Sequence, residues 1–210
     1  MTVLSAQPVR EALDFGERPD PAAGVFETIL VQDGLLVMRD AHYARINASA
    51  EELYGAQSVV HAPERRLPRR HWTGRTRITF VPGHELAVEV GALGADPLYT
   101  GIAPFVLTGG LGCHKWADRR LLDALGEAAG PGALPLLIDD DGSVLESTRM
   151  NVLIEERRRL VSPPTDGRAL PGIGRRRLQY DEEPVDLDRL LAADAVVLTS
   201  ALRVVRIAHL

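Results

Sequence analysis

One cysteine and one lysine are what this 210-residue chain has least of. A single thiol, Cys113, excludes an intramolecular disulfide and any cysteine-rich metal cluster. No stretch approaches the ~18 apolar residues of a membrane span, so no membrane partner is expected. The opening residues, MTVLSAQPVREALDFGERPD, lack the apolar core of a signal peptide, and the expected compartment is the cytoplasm. A net charge of −5 gives no broad basic surface, so nucleic acid is not an expected partner either.

The shortage of lysine is the most informative of these absences. Lysine and arginine together number 24, and all but Lys115 are arginine. A GC-rich coding background drifts from lysine to arginine wherever only a positive charge is needed. Arginine cannot take over the chemistry of a primary amine, because its guanidinium stays protonated. A lysine that survives such drift is therefore either a chance survivor or a position where the amine itself is used.

What is present reads as an ordinary globular chain, with 45% hydrophobic and 25% charged residues. Its length suits one large domain or two small ones. GVFETILVQ, then Asp33-Gly34, then LLVM read as a β-hairpin. Ile46, Ala50 and Leu53 recur at helical spacing in RDAHYARINASAEELYG, with Gly55 as the stop and with His42 and Arg45 on one face. RITFV and LAVEV read as strands.

Residues 91–104 lack periodicity. The expected division is a small N-terminal α/β subdomain (1–94), a linker (95–104) and a larger C-terminal subdomain (105–210). The second half reads as strand FVLT and a helix from about Lys115 to Ala128. A PLLID/SVLES hairpin, strand VLIE, a helix RRRLQY, a helix around DLDRLLAAD and strands AVVLT and LRVVRI follow. The expected class is α/β or α+β, with mixed sheets and flanking helices. The cluster Arg65, Arg66, Arg69 and Arg70 reads as a solvated face, since no aromatic residues interleave it.

Several segments place chemically useful groups. Lys115 follows a glycine-rich turn beside Trp116, Glu146 ends a hairpin strand, PGIG (171–174) leads into a helix, and Thr199 and Ser200 end a strand. Each alone has an ordinary structural reading, as a surface lysine, a solvated carboxylate, a turn and a strand cap. Their order is what resembles a known family, the fold type IV (class IV) pyridoxal-phosphate enzymes. That family includes the branched-chain and D-amino-acid aminotransferases and the 4-amino-4-deoxychorismate lyases.

GVFETI resembles the family's opening strand, and HYARINASAEEL its helix with the arginine that holds the cofactor phosphate, here Arg45. HKWADRRL is similar to the segment of the covalently bonded lysine, here Lys115. LIDDDGSVLESTRMNVLI resembles the segment whose glutamate meets the pyridine nitrogen, here Glu146, with Asn151 further on. LPGIGRRRL resembles L-P-G-I-T-R, whose amides bind phosphate, here Ile173 and Gly174. ADAVVLTSALRVVRI is similar to the closing strand pair, with Ser200 and Ala201 toward the cofactor.

The resemblance implies a D-amino-acid-aminotransferase-like fold of two subdomains, bound pyridoxal 5'-phosphate, no metal and a homodimer. It departs from the family pattern where threonine becomes Gly174 and where glycine becomes Ser147. No tyrosine follows Lys115, as aminotransferases commonly have. Lys-x-x-Asp-Arg-Arg-Leu and TSALRVV look more like the lyases, so the expected reaction converts 4-amino-4-deoxychorismate to 4-aminobenzoate and pyruvate. A class IV amino-acid aminotransferase (branched-chain or D-amino acid) is the alternative, and a non-catalytic relative a second one. The substrate is a small carboxylate in either enzyme, and Arg77 and Thr28 are the expected substrate-binding residues.

Overall fold

The computed structural model describes residues 5–57, 59–60 and 71–208. The arginine cluster at Arg65, Arg66, Arg69 and Arg70 lies outside the described residues. Short strands β1 (Ser5–Ala6) and β2 (Arg10–Glu11) precede β3 (Val25–Gln32) and β4 (Leu35–Leu36). Helix α1 (Arg39–Tyr54) leads to β5 (Gly74–Phe80), β6 (Ala87–Gly91) and β7 (Gly101–Val106). Helix α2 (Arg120–Ala129) is followed by β8 (Ala133–Ile138), β9 (Val144–Ser147), β10 (Asn151–Glu156) and β11 (Arg159–Ser162). A 3₁₀ turn (Ile173–Arg177), β12 (Asp181–Glu182), α3 (Leu187–Ala192), β13 (Ala195–Thr199) and β14 (Val204–Ala208) complete the chain.

The elements form two compact units. One comprises Pro19–Ala95 and His114–Asp118, the other Met1–Arg18, Asp96–Cys113 and Arg119–Leu210. In the first, β4, β3, β5 and β6 make an antiparallel sheet. Burial alternates along the whole of β5, the period of a strand with one covered face. Val25, Ile29 and Ile78 pack with Ile46 and Ala50 of α1. Helix α1 ends as its sequence suggests, at Gly55 in the left-handed conformation (φ 64°), whose N–H closes on Ala50 and Glu51.

The second unit has two sheets. In one, β7 and β8 run parallel and β9 returns antiparallel along β8. Parallel neighbours need a crossover, and α2 supplies it. Leu121, Leu122 and Leu125 of this helix pack on Phe105 and Leu137. The other sheet has the order β12-β11-β10-β13-β14. Between the sheets lies a core of Ile102, Leu136, Val152, Ile154, Val196 and Leu198, which Leu190 of α3 joins. Asp186 caps α3, its Oδ1 accepting from the Arg189 N–H at 2.7 Å.

This division departs from the expected boundaries in physical detail. Residues 5–11, assigned to the first subdomain, pair in parallel with β7 of the second unit. The expected linker 95–104 is already strand from Gly101 onward. The RRRLQY helix is instead the 3₁₀ turn Ile173–Arg177, because Pro171, Gly172 and Gly174 favour a tight turn over a helix start.

Loops at the end of β8 hang on one carboxylate. Asp139 accepts from the N–H groups of Gly109 and Asp140 at 2.8 Å each, and from Arg168 Nη1 at 2.8 Å. Burial alone would raise this carboxyl. The Arg168 guanidinium and the two N–H groups outweigh it and hold the pKa at about 2. A depressed carboxylate stabilises the fold above its unfolded value of ~3.9 and loses that contribution as pH falls through the folded value. The melting-temperature gap between wild type and Asp139→Asn is therefore expected to be full at pH 6 and to close as the pH approaches about 2. A gap that persists unchanged there would contradict the assignment.

Candidate active site

In the unit containing β3, the predicted residues divide between the two faces of the sheet. Thr28 and Arg77 are direct cross-strand partners, so they share the face away from α1. Phe26 lies on the same face, with the Arg77 guanidinium 3.9 Å from its ring centroid. Lys115 reaches that ring too, with Nζ 4.8 Å from the centroid. Both side-chain cations thus lie against one ring.

Lys115 does not open a helix, contrary to the sequence expectation. Residues 114–118 run along the start of β3. The Phe26 N–H donates to the Lys115 carbonyl at 2.9 Å, and the Ala117 N–H to that of Gly24 at 2.9 Å. Trp116 bridges Val25 and joins the apolar cluster around it. These strand-like bonds and the burial of Trp116 win over helical propensity, and α2 begins only at Arg120.

Arg45 works on the other face. Its Nε and Nη2 fork onto Glu27 at 2.6 and 2.9 Å. His42 Nδ1 meets the same carboxylate at 2.7 Å. Glu27 and His42 are 1% and 0% exposed. Burial pushes Glu27 up, but His42 and Arg45 outweigh it and hold its carboxyl below the usual range. His42 and Arg45 were legible as a shared helix face. Glu27 was missed, although a glutamate at a core-facing position of an apolar strand, between Val25 and Ile29, is itself the signal.

The second unit holds the remaining residues. Glu146, at the end of β9, is buried, and its Oε1 accepts from the Leu170 N–H at 3.2 Å. Asn151, which starts β10, donates from Nδ2 to the Leu170 carbonyl at 2.9 Å. Both polar groups of Leu170 are thus held by side chains, which fixes where the Pro171–Gly174 turn begins. The turn then passes tightly over two strand ends. A Cβ on Gly172 would lie 1.5 Å from Asn151 Oδ1, and one on Gly174 2.2 Å from the Ser200 carbonyl oxygen and 2.6 Å from Thr199 Oγ1.

Ile173, Gly174 and Ser200 are thereby brought together, and Ala201 adjoins them, its carbonyl accepting from Arg177 at 2.9 Å. Arg175, which follows the turn, escaped notice in the sequence. Its buried guanidinium meets Ser162 Oγ, the Pro163 carbonyl and Thr165 Oγ1. A depression of about 570 Å³ elsewhere in this unit is lined by Glu156, Arg157, Arg159 and Ala192–Asp194. None of the predicted site residues lines it, and ion pairs to Arg189 and Glu183 engage Glu156 and Arg159.

Residues 125–210 match the amino-transferase class IV family model. The class IV resemblance extends further in structure. A protein from Legionella pneumophila assigned as 4-amino-4-deoxychorismate lyase superposes with a TM-score of 0.72 at 19% identity, covering 96% of this chain and 90% of that one. A protein from Mycobacterium tuberculosis assigned as an aminotransferase, in its PLP-bound form, gives 0.69 at 23% identity, over 96% and 84%. The chain therefore has the fold of the type IV enzymes. D-alanine aminotransferase of Bacillus licheniformis is 26% identical over 84% of this chain and 75% of its own length.

The buried Glu27 cluster yields a stability test within this class IV fold. Glu27→Gln keeps the shape but takes the carboxylate away from Arg45 and His42. Breaking a buried pair in this way costs about 3–5 kcal/mol. Urea unfolding of the variant should show that loss, and a loss below about 1 kcal/mol would mean that the cluster behaves as a solvated pair.

Proposed function

We propose that this chain is a pyridoxal-phosphate-dependent lyase that converts 4-amino-4-deoxychorismate to 4-aminobenzoate and pyruvate. The observation that carries the reading is Lys115. It is the one primary side-chain amine in the sequence, and its Nζ shares the Phe26 ring with Arg77, the expected carboxylate partner. The donor set fits the cofactor: an amine, the buried Glu146 carboxylate for a ring nitrogen, and a turn of Ile173 and Gly174 beside a buried Thr199 hydroxyl that has no hydrogen-bond partner among the described residues.

When bound, pyridoxal phosphate supplies an aldehyde for the amine and a ring that takes up electrons. Lys115 would hold the cofactor. Glu146 would keep the pyridine nitrogen protonated, and Arg45, Ser200 and Ala201 would complete the surroundings. Arg77 and Thr28 would bind and orient the substrate, with Arg77 on a carboxylate. Nζ of Lys115 would remove the proton from the ring carbon that bears the amine and assist departure of the enolpyruvyl group as pyruvate.

The absence of a tyrosine after Lys115 and the TSALRVV ending favour the lyase. The likeness to D-alanine aminotransferase favours the second reading, in which Lys115 moves a proton during amino transfer between an amino acid and a keto acid. A homodimer in the cytoplasm accompanies either reading by family resemblance.

An assay of both reactions side by side separates them. Formation of 4-aminobenzoate and pyruvate is expected; amino transfer from D-alanine, glutamate or a branched-chain amino acid without it would reject the lyase. Lys115→Ala should abolish both the cofactor's visible absorption band and turnover, and a surviving band would refute the assignment of Lys115. Arg77→Ala should raise KM about tenfold or more, the loss of one charge-assisted contact, while that band remains.

A further inference from the structure

Thr199 is an anomaly in a well-satisfied core. It ends β13, opposite Asn151 on one side and Val204 on the other. Its side chain is 1% exposed, and Oγ1 has no hydrogen-bond partner among the described residues. A buried hydroxyl left unpaired destabilises a fold, so its retention needs a compensating use. The hydroxyl lies against Gly174, at 2.6 Å from where a Cβ on that glycine would stand.

Position 174 is where the family resemblance places a threonine. In this chain that side chain has no room. The Ser200 carbonyl oxygen, which is backbone and cannot simply swing aside, occupies the space at 2.2 Å. The oxygen of the other hydroxyl at the strand end is engaged as an acceptor. Ser200 Oγ accepts from the N–H groups of Leu202 and Arg203 at 3.2 and 3.3 Å, and Ala201 has none to offer.

The charge nearby points the same way. Arg175, one residue beyond Gly174, is 6% exposed and makes no ion pair among the described residues. Its side-chain hydrogen bonds go to neutral oxygens, and its Nε has no partner among them. A buried guanidinium without a carboxylate leaves an uncompensated positive field, which favours an anion.

We infer that Thr199 takes over the hydroxyl displaced from position 174 and donates its hydrogen bond to the cofactor's phosphate group. The inference rests on the pyridoxal-phosphate reading above and adds a residue that the sequence pattern does not assign. It makes Thr199 a site residue whose unbound state is strained by its own unmet hydroxyl, so its effects on stability and on binding have opposite signs.

The test uses the full chain stripped of cofactor, titrated with pyridoxal phosphate and with pyridoxal, which lacks the phosphate. Thr199→Val should weaken pyridoxal phosphate binding about tenfold or more, the loss of one hydrogen bond to a charged group, and leave pyridoxal affinity within about twofold. The same variant should melt about 2–4 °C higher without ligand, since it removes an unsatisfied buried group. Thr199→Ser should bind pyridoxal phosphate like the wild type.

Unchanged pyridoxal phosphate affinity in Thr199→Val, an equal loss for both ligands, or a variant that melts lower or fails to fold would each overturn the inference while leaving the cofactor reading intact. A wild type that binds pyridoxal phosphate no better than pyridoxal would overturn both.

Discussion

Backbone hydrogen bonds between residues 114–118 and the start of β3 set the position of Lys115. Through them the chain leaves the larger unit after Cys113, lies along Gly24–Phe26, and re-enters at Arg119. Lys115 is therefore held by its carbonyl, which accepts from Phe26, the residue whose ring its own amine approaches. Main-chain and side-chain contacts to one neighbour fix the root and the tip of a flexible side chain. Much of the rotamer entropy that a lysine amine loses on being positioned is thus met during folding rather than on binding.

Buried charge is handled in three ways. Glu27 is met by the Arg45 guanidinium and by the His42 ring. Asp139 combines one guanidinium with two main-chain donors and uses its charge to tie loops together. Arg175 meets neutral oxygens and an aromatic ring. In the first two arrangements the carboxylate is met within the unit that holds it.

The sequence reveals those features whose physics is local. RITFV marked the second half of β5, Asp33-Gly34 marked the first hairpin, and Gly55 marked the end of α1. Lys115 stood out by composition. The segment around it was misread as helix because Trp116 buries against Val25, a partner far away in sequence. Residues 5–11 were misplaced for the same reason, since pairing with β7 spans 95 to 96 positions and leaves no local trace. Glu27 carried a readable sign, a charge at a core-facing position, whereas its partners were readable only as a shared helix face. Thr199 was noticed as a strand end, but its burial beneath Gly174 follows from two strands and a turn meeting in space. Which side chains the turn crosses is a tertiary fact.

The passage of the turn over Asn151 also constrains how this protein can change over time. With Asn151 Oδ1 1.5 Å from where a Cβ on Gly172 would stand, any other residue at 172 must displace the amide. Removing the amide first frees the space but releases the Leu170 carbonyl. A side chain at position 172 therefore calls for Asn151 to turn away or be replaced, and either change loosens the turn.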